Sequence, residues 1–142
     1  MIDDYSKGHI KEILQEVQTI AVVGASANSE RDSYKVMESL IKHGYQIFPI
    51  NPYEQGNLIL GQLCYSDLSS VPEKIDMVDV FRAKDAVVGV TEEAILIGAK
   101  VLWTQLGIIN EEASELAKSA GLKVIMNRCP KIELENNIRL VD

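Results

Sequence analysis

The sequence predicts an α/β domain built as a single doubly wound, mostly parallel sheet with helices on both faces. Three observations lead there. Short apolar runs alternate along the chain with segments of helical periodicity. The runs, Thr19 to Val23 and Gln46 to Ile50 among them, are largely apolar, as strands covered on both faces are. Finally, 142 residues, 46% of them hydrophobic, suffice for one core and are tight for two.

Each element follows in order. Ile10, Ile13, Leu14 and Val17 repeat at i, i+3, i+4 and i+7, which predicts an amphipathic helix within residues 1–18, packed on the domain. Thr19 to Val23 forms the first strand and ends on Gly24. Val36, Met37, Leu40 and Ile41 mark a helix closed by His43-Gly44, where a cation and a glycine suit a helix C-terminus. Gln46 to Ile50 is the second strand, stopped by Asn51-Pro52. Residues 51–62 read as a turn-rich excursion, Cys64-Tyr65 as a vestigial strand, and Asp67 to Val71 as a short helical turn. Ile75 to Phe81 is a strand near the sheet centre. Helix Val87 to Ile97, strand Lys100 to Thr104, helix Asn110 to Ala120 and strand Leu122 to Met126 complete the alternation, with residues 135–142 as a C-terminal tail. There is no repeat or linker, so residues 1–142 form one domain.

Charge narrows the partners. Lys and Arg number 14 against 21 Asp and Glu, a net charge of -7, which excludes non-specific attraction to nucleic acid or to anionic lipid. No apolar stretch approaches the ~20 residues that span a bilayer, and Met1 to Tyr5 is acidic and polar, so a cytoplasmic protein is expected. Cys64 and Cys129 form no CxxC, and His9 and His43 have no ligand spacing with them, so no metal site is expected.

In open parallel sheets ligands settle at the carboxyl ends of the strands, where the strand order switches. The residues just past the expected strands are Gly24 to Asn28, Asn51-Pro52, Phe81-Arg82, Gln105-Leu106-Gly107 and Asn127-Arg128-Cys129. Gly24 permits a tight turn, and the small residues Ala25, Ser26 and Ala27 open an approach for a phosphate to backbone N–H groups at the following helix N-terminus. Arg31, Ser33 and Lys35 follow and can clamp a diphosphate; alternatively, Ser33 caps the helix and the two cations are solvated. A dinucleotide fingerprint is missing. One glycine stands where GxGxxG has three, Asn51 replaces the acidic residue that binds a ribose diol, and no Walker pattern occurs.

Ile20 to Ser26, Arg31, Ser33-Tyr34-Lys35-Val36, Gly44-Tyr45, Pro49 to Pro52, Ile75 to Arg82, Gly98 to Gly107 and Val124 to Glu133 together resemble the small stand-alone coenzyme A-binding proteins. Their domain is similar to the coenzyme A-binding domain of the succinyl-coenzyme A synthetase α-subunit. The resemblance spans about residues 10–134 and implies a Rossmann-like fold with coenzyme A or an acyl-coenzyme A as ligand. It implies the diphosphate over the Gly24 and Ala25 loop, contacts from Ser26, Arg31, Ser33, Tyr34 and Lys35, from Asn51 and Pro52, and from Val80, Phe81 and Arg82. Gln105, Gly107 and Cys129 complete the expected set at the later strand ends. Two positions depart from the family: Asp32 stands where proline is common and Tyr53 where a lysine is frequent, and both predict a weaker hold on phosphate.

No general acid or base is placed by the sequence, and Glu92-Glu93 reads as a solvated helix face. The expected function is therefore non-catalytic coenzyme A binding. An NAD(P)-binding protein or oxidoreductase remnant, and a partner-binding domain with a vestigial nucleotide site, are the alternatives. A homo-oligomer or a protein partner stays open, with Ile108-Ile109 either at a contact or in the core. Cys129, flanked by Arg128 and Lys131, is either a small apolar core residue or a thiol able to form a mixed disulfide with the coenzyme.

Overall fold

In the computed structural model, which describes residues 5–138, helix α1 (Lys7–Glu16) starts where the Ser6 hydroxyl accepts the His9 N–H at 3.1 Å. Residues 1–4 of the expected N-terminal segment and 139–142 of the expected tail lie outside the described residues. The Tyr45 hydroxyl donates to the Leu14 carbonyl and ties α1 to the domain. Next come β1 (Thr19–Val23), α2 (Asp32–Lys42) and β2 (Gln46–Ile50).

The excursion after β2 holds more structure than its turn-rich sequence predicts. A 3₁₀ turn at Pro52–Glu54 precedes an antiparallel hairpin of β3 (Leu58–Ile59) and β4 (Gln62–Leu63). Its two turn residues, Leu60 and Gly61, have φ of 53° and 77°, the pair of positive values that a tight hairpin turn demands. Leucine rarely takes that conformation, so no turn signal marked it. The vestigial strand shrinks to one residue: Tyr65 bridges Ile50 in parallel, its N–H donating to the Pro49 carbonyl and its carbonyl accepting the Asn51 N–H.

A 3₁₀ turn at Leu68–Ser70, started by the Asp67 carboxylate accepting the Ser70 N–H at 2.9 Å, leads to β5 (Met77–Val80). Then follow α3 (Val87–Leu96), β6 (Val101–Thr104), α4 (Glu111–Ser119, capped by Asn110), β7 (Lys123–Ile125) and the short α5 (Pro130–Glu133). Residues expected to begin a tail at 135 instead continue α5 as a π-helical turn, Leu134–Ile138, because Leu134 is buried against the core.

The five long strands form one parallel sheet in the order β2-β1-β5-β6-β7. Alternate residues feed two cores. Ile20, Val22, Ile47, Met77, Val101 and Trp103 pack with α1 and α2 on one face. Ala21, Val23, Phe48, Val78, Val80 and Leu102 pack with α3 and α4 on the other. The chain moves outward from β1 to β2 and then returns to β5, so the switch in strand order lies between β1 and β5.

Two details of the central strands bear on stability. Gly24 has φ of 92°, and a Cβ built there would lie 2.4 Å from the Phe81 carbonyl oxygen. Asp79 stands between Val22 and Trp103 in register, fully buried, and neither carboxylate oxygen has a hydrogen-bond partner. Burial pushes its pKa well above the usual carboxylate range, which favours the neutral acid in the folded state.

Gly24→Ala is therefore expected to lower the unfolding free energy by about 2–4 kcal/mol, combining left-handed strain with a backbone clash, as read by urea denaturation. A loss below about 1 kcal/mol would contradict the close approach to Phe81. For Asp79, the unfolded chain releases its proton above about pH 4 while the native state keeps it, so stability falls as pH rises, at up to about 1.4 kcal/mol per pH unit. The melting temperature of Asp79→Asn should accordingly gain on the parent as pH rises above about 4, the unfolded carboxylate value, and a constant gap would refute a raised Asp79 pKa.

Candidate functional site

At the switch point, the N–H groups of Gly24 and Ala25 both donate to the Ile50 carbonyl, at 3.1 and 3.2 Å. The Asn51 amide donates to the Ala25 carbonyl at 2.8 Å, while its Oδ1 accepts the Tyr53 N–H at 2.9 Å. The ends of β1 and β2 are thereby stapled together. Beyond them, the loop holds itself in shape through side-chain acceptors. Ser26 Oγ takes the Asn28 N–H at 3.0 Å, and Asn28 Oδ1 takes the Glu30 N–H at 2.9 Å.

The loop delivers the chain into α2 with Arg31 at the N-cap position and no side chain capping the helix. The first backbone bond into the helix runs from Lys35 N–H to the Arg31 carbonyl at 3.2 Å. The N–H groups of Asp32, Ser33 and Tyr34 thus stand ahead of the bonded ladder, at the positive end of the helix dipole. The amides at 24 and 25 are spent within the sheet, and the unbonded N–H groups lie one loop later, at the helix N-terminus where the sequence places an anion's approach. Ser33 is buried in the first turn of α2 and does not cap it.

Three cavities run along this edge of the sheet. The central one, about 480 Å³, is lined by Gly24, Ala25, Ser26, Arg31, Ser33, Asn51 and Phe81, with Glu30 and Asp32 at its wall. On the β2 side, about 470 Å³ is enclosed by Pro52, Tyr53, Ser66, Asp67, Arg82 and Glu93 over Val23, Ile50 and Val90. On the far side of α2, about 200 Å³ lies among Lys35, Val36, Gln105, Leu106, Cys129, Lys131 and Ile132. Gly24 and Asn51 line both of the first two, and Asp32 lines the first and third, so the three form one groove around the first turn of α2.

Most residues expected at the strand ends reach this groove, but Tyr34, Val80 and Gly107 line none of its three cavities. Tyr34 packs against the α1 and α2 core. Val80 is fully buried within the sheet. Gly107 donates its N–H to Asn127 Oδ1 at 2.7 Å and so holds two loops together. Arg128 turns away as well: its guanidinium sits 5.5 Å over the Tyr5 ring, and its carbonyl accepts the Trp103 indole N–H at 2.9 Å.

The groove also gathers side chains that sequence reasoning missed, namely Glu30, Ser66, Asp67 and Glu93, and it includes Tyr53, which the sequence marked only as a departure from the family. Tyr53 is 93% exposed, a free aromatic face at the rim. Asp67 is occupied by its own turn, where the Ser70 and Ser69 hydroxyls hydrogen-bond it and keep its pKa below the ordinary value. Partial burial raises the Glu93 pKa and Asp67 adds to the rise, while Arg82 opposes both. The sequence placed Glu93 on a solvated face. Val90, one helical turn earlier, lines the same cavity, and that i, i+3 pairing is the signal that marks its orientation.

An elongated ligand with an anionic centre fits these features: backbone donors in the middle, a cation and an aromatic face at one end, and partly apolar walls at the other. Among the described residues, no helix is long and apolar enough to cross a membrane.

The chain is 42% identical over 127 residues to the uncharacterized protein YneT of Bacillus subtilis, covering 89% of this chain and 93% of that one. It is 28% identical over 128 residues to the α subunit of the ADP-forming acetate–CoA ligase I of Pyrococcus furiosus, covering 80% of this chain but 28% of the ligase subunit. A hypothetical protein from Pyrococcus horikoshii OT3 superposes with a TM-score of 0.90 at 42% identity, covering 96% of this chain and 95% of that one. The model of the CoA binding domain matches residues 18–135, a span that includes the whole parallel sheet and every cavity of the groove, and the chain belongs to that family.

Proposed function

We propose that the protein binds coenzyme A, or an acyl thioester of it, as a non-catalytic module, with the diphosphate against the first turn of α2. The observation that carries this reading is the uncapped N-terminus of α2, opening onto the middle of a three-part groove at the strand switch. Three N–H groups and a helix dipole suit a diphosphate, and Arg31 adds a charge-assisted partner at the same cavity. These backbone donors bind an anion but carry no proton for transfer, which favours holding over catalysis. The β2-side cavity supplies Tyr53 for the adenine ring and Arg82 for the ribose 3′-phosphate. Asn51 spends its side chain on stapling two strand ends, leaving no carboxylate at that position for the ribose diol of a dinucleotide.

Thermal shift with coenzyme A, dephospho-coenzyme A, NADPH and ATP tests the reading. Coenzyme A is expected to raise the melting temperature most, as a ligand at 100 times its Kd adds about 2.7 kcal/mol. Arg31→Ala should weaken coenzyme A by about tenfold or more, the loss of one charged hydrogen bond. Stabilisation by NADPH with no response to coenzyme A would overturn the assignment. Glu93→Gln removes a carboxylate from the Arg82 cavity and should tighten coenzyme A by about 0.5–1 kcal/mol at low salt, a gain that shrinks as salt is added. Calorimetry at two ionic strengths reads that difference, and unchanged affinity would place the 3′-phosphate elsewhere.

A further inference from the structure

We propose that Cys129 is a thiol–disulfide exchange site for the coenzyme's own disulfide, capturing one coenzyme A half covalently in the groove. The proposal rests on the coenzyme A reading above and adds to it where the thiol end lies and what it meets.

The two cysteines differ in what surrounds them. Cys64 is buried behind Asn51, with its Sγ 3.7 Å from the Asn51 carbonyl, and it lines none of the three groove cavities. Cys129, at the N-cap of α5, is also buried, at 6% exposure, but it forms part of the wall of the third cavity. Lys35 and Lys131 stand around the same space, and Leu106 and Ile132 give it apolar walls that are 53% and 42% exposed in the free protein.

A second observation points to a ligand there. Gln105 is 8% exposed and lines the cavity, and its Oε1 is buried with no hydrogen-bond partner. A buried carbonyl oxygen without a donor is uncommon in native proteins. The pantetheine arm of coenzyme A carries two amide N–H groups able to supply that donor, and a dimethyl carbon suited to Leu106 and Ile132. Because Asp32 lines both this cavity and the central one, a ligand whose diphosphate rests on the first turn of α2 can extend its thiol arm toward Cys129.

The chemistry balances with coenzyme A disulfide as the oxidant. The Cys129 thiol releases its proton to solvent, and the resulting thiolate attacks one sulfur of the disulfide. A protein–coenzyme S–S bond forms as the original S–S bond breaks, and the second coenzyme A departs as a thiolate that takes up a proton. The protein sulfur is oxidised and the departing half is reduced.

Intact-mass measurement after incubation with coenzyme A disulfide tests this. One adduct of a single coenzyme A, removed by dithiothreitol, is expected on the parent and on Cys64→Ser but absent from Cys129→Ser. Peptide mapping of the parent locates the modified sulfur even if Cys129→Ser fails to fold. Glutathione disulfide should react at least about tenfold more slowly, because it lacks the nucleotide that the groove holds, and Arg31→Ala should erase most of that preference. No adduct, an adduct mapped to Cys64, or equal rates with the two disulfides would overturn the proposal. If reduced coenzyme A still raised the melting temperature in any of those cases, only the thiol site would fall and the binding reading would stand.

Discussion

The close passage of β1 over the end of β5 governs everything at the carboxyl edge of the sheet. Residue 24 turns under the Phe81 carbonyl with room for a hydrogen and nothing larger, and its own amide and that of Ala25 are drawn onto a single acceptor, Ile50. That geometry lifts the chain off the sheet at one place and sends it over the switch point before α2 begins. Had the loop taken a wider path, the first turn of α2 would not stand between the β2-side cavity and the one around Gln105. The groove is thus a product of backbone packing, and its side chains are arranged on a frame that three strand ends have already fixed.

Charge is distributed along that frame with restraint. Arg31, Lys35 and Arg82 line different cavities, and each shares its cavity with at least one carboxylate, Glu30, Asp32, Asp67 or Glu93. In a chain of net charge -7 such pairing keeps long-range attraction for anions low and leaves recognition to short-range contacts. The N–H groups of Asp32, Ser33 and Tyr34 are the backbone donors at the cavity that Glu30 and Asp32 also line, so the uncapped helix terminus there stands in place of a basic patch.

Much of the fold was legible because parallel strands covered on both faces leave a strong local trace. Thr19–Val23 and Gln46–Ile50 were marked by apolar runs with abrupt stops at Gly24 and Asn51. The β3–β4 hairpin was not, since its turn depends on Leu60 in a conformation that leucine seldom adopts. Within the site, the residues following strands were legible as a set, but the use each backbone group makes of its neighbours was not. Whether the amides of 24 and 25 are free depends on Ile50, twenty-five residues or more away in sequence, and no local pattern encodes that. Asp79 escaped notice for the opposite reason: an acidic residue in an apolar run reads as facing outward until the pairing of β5 with β1 and β6 shows both sides covered.

The single bridge made by Tyr65 has a consequence for how copies of the chain behave when crowded. β2 is an outer strand of the sheet, and an unprotected outer strand invites a neighbouring molecule to add its own. Here Pro49 has no N–H to offer, its carbonyl is already taken by Tyr65, and the Asn51 N–H is taken as well. The end of the β2 border beside the groove thereby offers a neighbouring strand few free backbone groups, which weighs against intermolecular strand addition at that point.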